Sequence, residues 1–429
     1  MSFMRKLGAL AASATIAAGT AGGAAPALAQ DGQGLVTIMH YFTGDLGREG
    51  LNKIFGRFQD QNAVTIFDNP IGHEDFKTAI LVMAAGGSLP DMFSYWAGAR
   101  TQFVVDSGQI GTIDDLWASA GLDQVVPASL AAGATVYNGQ RYLIPFGYHY
   151  AGMFYNAKLL AEHGITSFPT DWDGFLAMCE TLKQAGVTPI ALGSKYRWPA
   201  QFWFDYLLLR TAGPDYRAAL MAGTAAYTDP EVQRAMELWK QLVDAGYFTE
   251  FANADDWTDA ADKVSRGEAA MTLMGTWITG YWNGNGMEPG TDYDFFPFPA
   301  IDAGVANAVV GPVDGLLISA NAQNRANAEK LAAFMLTDVE SQAIWAQAQG
   351  ALSPNVNVDP SIYTSVMTRA LETVNAAEVF AFNYDLATTP PVAEVGLNMF
   401  AQFMDDPSGY QDILAQADAA AKDAFAQAQ

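Results

Sequence analysis

The stretch AAGGSLPDMF at residues 84–93 decides the fold class that the sequence predicts. Residues 75–85 have a helical pattern, and the helix is expected to end at Gly86-Gly87, since glycine commonly terminates helices. Residues 91–95 form a short apolar run that is typical of a strand. A helix that turns directly into a strand is the repeating unit of layered α/β proteins.

The same alternation of strands and helices continues on both sides of this turn. Strands are predicted at residues 35–42, 64–67, 91–95, 142–150, 153–155, 269–274, 293–299 and 316–319. Helices are predicted at residues 46–58, 75–85, 171–185 and 230–245, with a mainly helical pattern from 324 onward. We therefore expect an α/β fold with largely parallel sheets. The length predicts two or three domains, and without a Ser- or Pro-rich linker the chain is expected to cross between lobes more than once.

The first 29 residues are typical of a secretory signal peptide. Arg5 and Lys6 precede an uncharged stretch at residues 7–18, and Ala27-Leu28-Ala29 is a small-x-small cleavage signal. The alternative, a membrane anchor, is disfavoured because the stretch is Ala/Gly-rich and weakly apolar. No cysteine follows the cleavage site, which excludes a lipoprotein anchor. We expect cleavage after Ala29 and a periplasmic protein.

Composition excludes several classes of function. The chain of 429 residues carries 22 Lys+Arg and 46 Asp+Glu, a formal net charge of −24, so binding to nucleic acid is not expected. One cysteine cannot form an intrachain disulfide, and we expect Cys179 to be a buried structural thiol. None of the four histidines pairs at helical metal-ligand spacing, and no nucleotide-binding motif occurs. The sequence predicts neither a metal nor a cofactor.

Large aromatic residues occur where predicted strands and helices end. Their flat faces can stack on the C–H faces of sugars, while neighbouring polar side chains bind the hydroxyls. Ligands of open α/β sheets bind at such strand ends. The aromatic residues in these positions include Tyr41, Phe42, Trp96, Tyr148, Tyr150, Trp198, Trp277, Phe382 and Tyr384.

Four motifs in a fixed order carry a family resemblance. They are AAGGSLPDMF at 84–93; YNGQRY and IP within 137–145, followed by FYN at 154–156; GEAAM and GTW within 267–277; and GPVDG and ISAN within 311–321. With them, the chain resembles the family 1 extracellular solute-binding proteins of bacterial ABC sugar importers, the maltose-binding type. The resemblance runs over nearly the whole mature length.

This resemblance implies a type II periplasmic binding protein fold, with two α/β lobes joined by hinge strands and a ligand cleft between them. The first lobe is expected at residues 31–147 plus 299–355, and the second at 148–298 plus 356–429. The implied function is binding of a carbohydrate, a small oligosaccharide or glycoside, by lobe closure, and its delivery to the membrane permease subunits. The protein is expected to be a monomer and not an enzyme.

The resemblance also implies a set of ligand-binding residues. Asp45 corresponds to a hydroxyl-binding aspartate, whereas Leu46 stands where a basic residue follows it in relatives. His149 occupies the position of a carboxylate, and these two departures argue against maltodextrin specificity. The expected set is His40, Phe42, Asp45, Trp96, His149, Trp198, Trp277, Gly311, Asp314 and Asp385.

Two alternatives remain open at this point. Lys195, Arg197, Arg100 and His149 could face an anionic sugar derivative or polyol. A secreted glycosidase would need two carboxylates poised across one bond, and Asp255 with Asp256 or Glu268 with Glu288 are candidates by number alone.

Overall fold

Strands and helices alternate along residues 34–427, the part of the chain that this computed structural model describes. The predicted signal peptide at residues 1–29 and its cleavage site lie outside these residues. The strands are β1 Gly34–His40, β2 Val64–Pro70, β3 Met92–Trp96, β4 Val136–Tyr137, β5 Gln140–Arg141, β6 Leu143–Tyr148, β7 Ala151–Asn156, β8 Thr188–Ile190, β9 Ala269–Gly275, β10 Tyr293–Phe296, β11 Ala308–Val310, β12 Val313–Ile318 and β13 Val379–Ala381.

The helices are α1 Asp45–Gln61, α2 His73–Ala85, α3 Ala99–Asp106, α4 Asp114–Ser119, α5 Ala128–Thr135, α6 Ala157–Glu162, α7 Trp172–Gln184, α8 Gln201–Thr211, α9 Gly213–Met221, α10 Pro230–Asp244, α11 Trp257–Ser265, α12 Trp277–Gly284, α13 Arg325–Thr337, α14 Val339–Gln349, α15 Ser365–Ala376, α16 Tyr384–Ala387, α17 Pro390–Asp405 and α18 Tyr410–Gln427. Each predicted strand and helix overlaps an observed one, with ends that differ by up to three residues.

Two larger sheets organise these elements. One has the strand order β2-β1-β3-β12-β6, and the other has the order β10-β7-β9-β8. The prediction of largely parallel sheets is wrong. β12 is antiparallel to both β3 and β6, and β7 is antiparallel to both β9 and β10. The physical reason is the crossing of the chain: β6 and β7 are consecutive but belong to different sheets, and β12 returns to the first sheet against the direction of β3.

The turn at residues 84–93 joins three distant parts of the first lobe. Gly87 has φ of +63°, a conformation that glycine adopts without strain, and it ends α2 as predicted. Asp91 is buried, and its carboxylate accepts hydrogen bonds from the backbone N–H groups of Thr37 and Asn324, both at 2.9 Å. Burial acts to raise the pKa of Asp91, but the hydrogen bonds from Asn324 and Thr37 outweigh it and lower the pKa. The motif therefore fixes β1, β3 and the start of α13 to one another.

Buried apolar residues form two hydrophobic cores, and the molecule accordingly has two α/β lobes. The first core surrounds the five-stranded sheet and includes residues from β1, β3, β6 and β12. The second surrounds the four-stranded sheet and includes residues from β7, β9 and β10. β11 packs in the second core, although residues 299–355 were expected in the first lobe. This favours a return of the chain to the first lobe near residue 311 rather than at residue 299. The lobe boundaries themselves stay predictions.

Two smaller expectations concern Cys179 and membrane-spanning helices. Cys179 is buried in α7, and burial raises the pKa of its thiol, which confirms an inert structural cysteine. Within residues 34–427, no helix combines the length and the apolar character needed to cross a bilayer.

Candidate functional site

A cavity of about 780 Å³ lies between the two lobes, with walls made by residues from both cores. Eight of the ten residues in the expected set line it: Phe42, Asp45, Trp96, His149, Trp198, Trp277, Asp314 and Asp385. They come from strand ends, helix starts and loops of both lobes. Their role in binding a ligand stays a prediction.

His40 and Gly311 do not line this cavity, so the expectation for them is corrected. His40 is buried, with Nε2 2.7 Å from Asp68 Oδ1, and its Nδ1 accepts a hydrogen bond from the backbone N–H of Phe42. Its ring therefore orients the chain beside the cavity. A Cβ at Gly311 would overlap the carbonyl oxygen of His149, so this glycine permits two crossing segments to approach closely.

The first-lobe wall is a connected group of aromatic and polar side chains. The rings of Tyr41 and Trp96 stack with centroids 4.2 Å apart. The Tyr41 hydroxyl donates to Asp314 Oδ1 at 2.7 Å, and Asp314 Oδ2 lies 3.3 Å from His149 Nε2. His149 Nδ1 lies 2.9 Å from the hydroxyl of Thr276, which follows β9 of the second lobe. Both ring nitrogens of His149 thus face protein groups, and burial raises the pKa of Tyr41 well above its ordinary value.

The start of α2 contributes a charged group that spans the two walls. Glu74 Oε1 accepts from Trp198 Nε1 at 2.9 Å and lies 2.8 Å from His73 Nδ1. Lys77 Nζ lies 3.4 Å from Glu74 Oε2 and 3.8 Å from Asp385 Oδ2. Burial acts to raise the pKa of Glu74, but the hydrogen bond from His73 and the Lys77 charge lower it to about 2. Glu74 is therefore ionised at neutral pH.

The second-lobe wall is mainly aromatic. Trp198 opens the 3₁₀ turn before α8, and Trp277 is the first residue of α12; their ring centroids are 5.9 Å apart. The ring of Trp277 lies edge-on to His149 at 5.3 Å. A Cβ at Gly275 would overlap the Trp277 ring, so glycine is required beneath it. The GTW motif thus fixes where this indole lies.

Polar groups of the second wall are connected through Asp385. Asn383 Nδ2 donates to Asp385 Oδ1 at 2.6 Å, and the backbone N–H of Asp385 donates to Gln201 Oε1 at 2.8 Å. All three residues are buried and line the cavity. They offer carboxylate and amide groups beside the rings of Trp198 and Trp277, which suits a ligand that carries both hydroxyls and apolar faces.

The charges of the lining argue against an anionic ligand. Among residues 34–427, the one Lys or Arg in the lining is Lys77, whereas the carboxylates are Asp45, Glu74, Asp75, Asp256, Asp314 and Asp385. Arg197 pairs with Glu394 at 2.9 Å, Lys195 lies over the ring of Tyr196, and Arg100 lies over Trp96. Of the four residues considered for binding an anionic group, His149 lines the cavity, whereas Lys195, Arg197 and Arg100 lie outside the lining.

Three of the four carboxylates considered for glycoside hydrolysis, Asp255, Asp256 and Glu268, have structural partners. Asp256 caps α11 in a capping box with Asp259, and Asp255 forms an ion pair with Lys263. Glu268 pairs with Arg266 on the surface at 2.6 Å. No group of three His, Cys, Asp or Glu side chains that could hold a metal ion occurs in the described part of the chain.

Sequence reasoning did not include Tyr41, Glu74, Lys77, Gln201 and Asn383 in the expected set. The predicted helix begins at 75, so the i,i+3 relation of Glu74 and Lys77 on one face of α2 is not visible from the sequence. The sequence does indicate a site position for Tyr41, because it adjoins Phe42 at the end of a predicted strand. No local signal marks Gln201 or Asn383, because their environment depends on residues far away in the chain.

Comparison with known proteins places the chain in a family. A family model described as bacterial extracellular solute-binding protein matches residues 44–342. The chain belongs to this family. Its members are solute-binding proteins, so this chain is a binding protein and not an enzyme.

Individual relatives agree with this assignment. The solute-binding protein is 29% identical over 352 residues to an uncharacterised ABC transporter extracellular-binding protein of Pyrococcus horikoshii, covering 80% of this chain and 76% of the relative. It is 26% identical over 308 residues to a probable sugar-binding periplasmic protein of Brucella melitensis, covering 70% and 71% of the two chains. The crystal structure of the bacterial solute receptor AcbH superposes with a TM-score of 0.85 at 24% identity, covering 92% of this chain and 100% of AcbH. The fold is therefore the two-lobed fold that the sequence predicted.

Proposed function

We propose that this solute-binding protein binds a neutral carbohydrate in the cavity between its lobes and delivers it to the membrane permease of an ABC importer. The observation that carries the proposal is the lining: indole rings and carboxylate or amide groups from both lobes face one cavity of about 780 Å³. Indole faces suit the C–H faces of a sugar ring, and the polar groups suit its hydroxyls.

The relatives support a sugar as the ligand. The Brucella melitensis relative is named as sugar-binding, and AcbH is described as having an exclusive preference for β-D-galactopyranose. The cavity volume lies within the usual range of about 300–1,000 Å³ for small-molecule sites. A small oligosaccharide or a glycoside fits this range.

Closure of the lobes is the proposed binding step. Trp96 and Asp314 belong to the first-lobe wall, whereas Trp277 and Asp385 belong to the second, so a ligand contacts all four only when the lobes are closed. Contacts made in one state only shift the population toward that state. The closed form of a monomer, exported to the periplasm after cleavage at Ala29, would then be the form that the permease subunits bind.

The proposal favours a neutral ligand over an anionic sugar or polyol. Within residues 34–427, six carboxylates and one lysine line the cavity, and that lysine already faces Glu74 and Asp385. An anionic group would enter a negatively charged cavity without a free cation to compensate it.

The test is a titration of intrinsic tryptophan fluorescence, together with thermal shift, across galactose, glucose, xylose, arabinose, xylobiose, chitobiose and raffinose. We expect saturable binding of at least one sugar. The variant Asp385→Asn should weaken that binding by tenfold or more, because hydrogen bonds to a charged group contribute about 1.5–3 kcal/mol. Asp412→Asn, an exposed change in α18, is the matched control and should bind as the wild type does. A wild-type protein that responds to none of the sugars would contradict the proposal.

A further inference from the structure

The short segment 382–385 carries two residues of the cavity lining, Asn383 and Asp385. It joins β13 to the first turn of α16, where the backbone N–H groups have no partner within the helix and depend on other groups. The second lobe supplies those groups at three successive points: at the carbonyl of Phe382, at the N–H of Tyr384 and at the N–H of Asp385.

Two of these three points belong to one buried ion pair. Arg217 in α9 donates from Nε to Asp205 Oδ1 in α8 at 2.8 Å, and from Nη2 to the carbonyl oxygen of Phe382 at 2.6 Å. The other carboxylate oxygen, Asp205 Oδ2, accepts from the N–H of Tyr384 at 2.8 Å. The pair therefore holds the backbone on both sides of Asn383.

This ion pair is costly to bury. Asp205 is fully buried and Arg217 is 5% exposed. Burial raises the pKa of Asp205 to about 6, even though Arg217 lies beside it. Buried ion pairs often stabilise a protein no better than apolar side chains of similar size. The hydrogen bonds to the segment are what apolar side chains could not supply.

The segment also contacts the first lobe. Its contacts with each lobe therefore decide which lobe it moves with when the lobes separate. Leu386 packs in the first core, and Lys77 of α2 faces Asp385. A Cβ at Gly98 of the first lobe would overlap the carbonyl oxygen of Leu386. The ring of Tyr384 is buried in the second core, and the hydrogen bonds to Phe382 and Tyr384 set the backbone on both sides of Asn383 relative to that lobe.

We propose that Asp205 and Arg217 are positioning residues for the ligand site: they fix Asn383 and Asp385 to the second lobe, so that both side chains are in place when the lobes close. The proposal rests on the proposed function, because it assigns these residues a role in carbohydrate binding. Neither residue lines the cavity, so the pair acts through the segment and not on the ligand.

The test uses the full-length protein with the double change Asp205→Leu and Arg217→Met. Two apolar side chains replace the pair, so the fold is expected to persist while the hydrogen bonds to Phe382 and Tyr384 are lost. We expect affinity for the tightest-binding sugar of the panel above to fall at least tenfold. Hydrogen exchange of the Tyr384 amide should accelerate at least tenfold in the absence of sugar.

The control is Leu182→Ala, which removes a buried side chain from the second core in α7. It should lower the melting temperature and leave both the sugar affinity and the exchange of the Tyr384 amide unchanged. A double variant that binds sugar as the wild type does would overturn the proposal. An equal loss of affinity in Leu182→Ala would also overturn it, because general destabilisation would then explain the effect.

Two further outcomes of the experiment are a double variant that does not fold and a wild type that binds no sugar. If the double variant does not fold, Arg217→Lys is used, which keeps a cation beside Asp205 but lacks the planar guanidinium that also reaches Phe382. Weaker sugar binding by this variant supports the proposal, and wild-type binding overturns it. If the wild type binds no sugar of the panel, the proposed function fails and the role in carbohydrate binding falls with it. The exchange of the Tyr384 amide then still shows whether the pair holds the segment, and unchanged exchange contradicts this.

Discussion

The two walls of the cavity are built in different ways. On the first-lobe wall, the Tyr41 hydroxyl donates to Asp314, and Asp314 in turn adjoins His149, which lies between the two lobes. On the second-lobe wall, Trp198 and Trp277 present indole rings. Both walls have hydrogen-bonded polar groups, but the second wall has two neighbouring indole rings beside the Asn383–Asp385 segment, whereas the first has the Trp96 ring stacked on Tyr41.

This difference indicates what each wall would contribute to the free energy of ligand binding. A polar group held by its neighbours needs no reorganisation when a ligand arrives, which lowers the cost of binding. An indole ring contributes contact area at a low cost in conformational entropy. We expect ring removal on the second wall to cost the most affinity, and loss of one polar partner on the first wall to cost less.

The largest effect is expected for Trp277→Ala. The change removes the ring from the second wall, and anchor tryptophans contribute about 2 kcal/mol or more, which is about 30-fold in Kd. Isothermal titration with the best sugar of the panel measures this loss. Trp277→Phe keeps an aromatic face and is the matched control, for which a smaller loss is expected. Equal affinity of Trp277→Ala and the wild type would show that the second wall does not hold the ligand.

A smaller effect is expected for Tyr41→Phe. The stacked ring on Trp96 is retained, but Asp314 loses the hydroxyl that donates to it at 2.7 Å. Asp314 then lacks the partner that fixes its orientation, so it must be ordered when the ligand binds, which costs affinity. We expect sugar affinity to fall about five- to tenfold by titration calorimetry. Tyr142→Phe, a change away from the cavity, should leave the affinity unchanged, and a loss larger than that of Trp277→Ala would reverse the proposed division between the walls.

The charged group that spans both walls is tested by the effect of Glu74→Gln on the thermal stability of the protein. The pKa of Glu74 is about 2 in the folded protein, below its ordinary 4.5, so its contribution is fully present above about pH 4.5. The contribution is lost as the pH falls toward 2, because the unfolded chain takes up the proton first. The wild type should melt at a higher temperature than Glu74→Gln at pH 7, and the difference should shrink at pH 4 and again at pH 3. A difference that is the same at every pH would contradict this pairing.

The smallest effect is expected for Lys195→Met. Lys195 lies over the Tyr196 ring and outside the lining, so a neutral ligand should bind this variant with unchanged affinity and weak dependence on salt. Titrations at low and high ionic strength measure both properties. Binding that weakens with salt, and that Lys195→Met abolishes, would favour the anionic alternative.

The sequence predicted the parts of this structure that depend on local patterns. The turn at 84–93 gave the α/β class, and aromatic residues at strand and helix ends, such as Trp96 and Trp277, line the cavity. Strand direction was not predicted correctly, because the antiparallel pairing of β12 with β3 depends on where a distant segment re-enters the sheet.

The missed site residues have a similar explanation. Gln201 accepts from the backbone N–H of Asp385, which is 184 positions away, and Asn383 donates to the carboxylate of the same aspartate. His40 belongs to the expected set, but its ring is bound by Asp68 on the neighbouring strand. Such contacts depend on tertiary structure and leave no periodic pattern in the sequence.

Native mass spectrometry of freshly purified wild-type protein and Trp277→Ala shows directly whether a neutral carbohydrate is bound between the two walls. We expect the wild type to retain a neutral carbohydrate, seen as a discrete added mass that collisional activation releases, and Trp277→Ala to retain much less of it. A retained acidic compound, or equal retention of the sugar by the two proteins, would contradict binding of a neutral carbohydrate between these two walls.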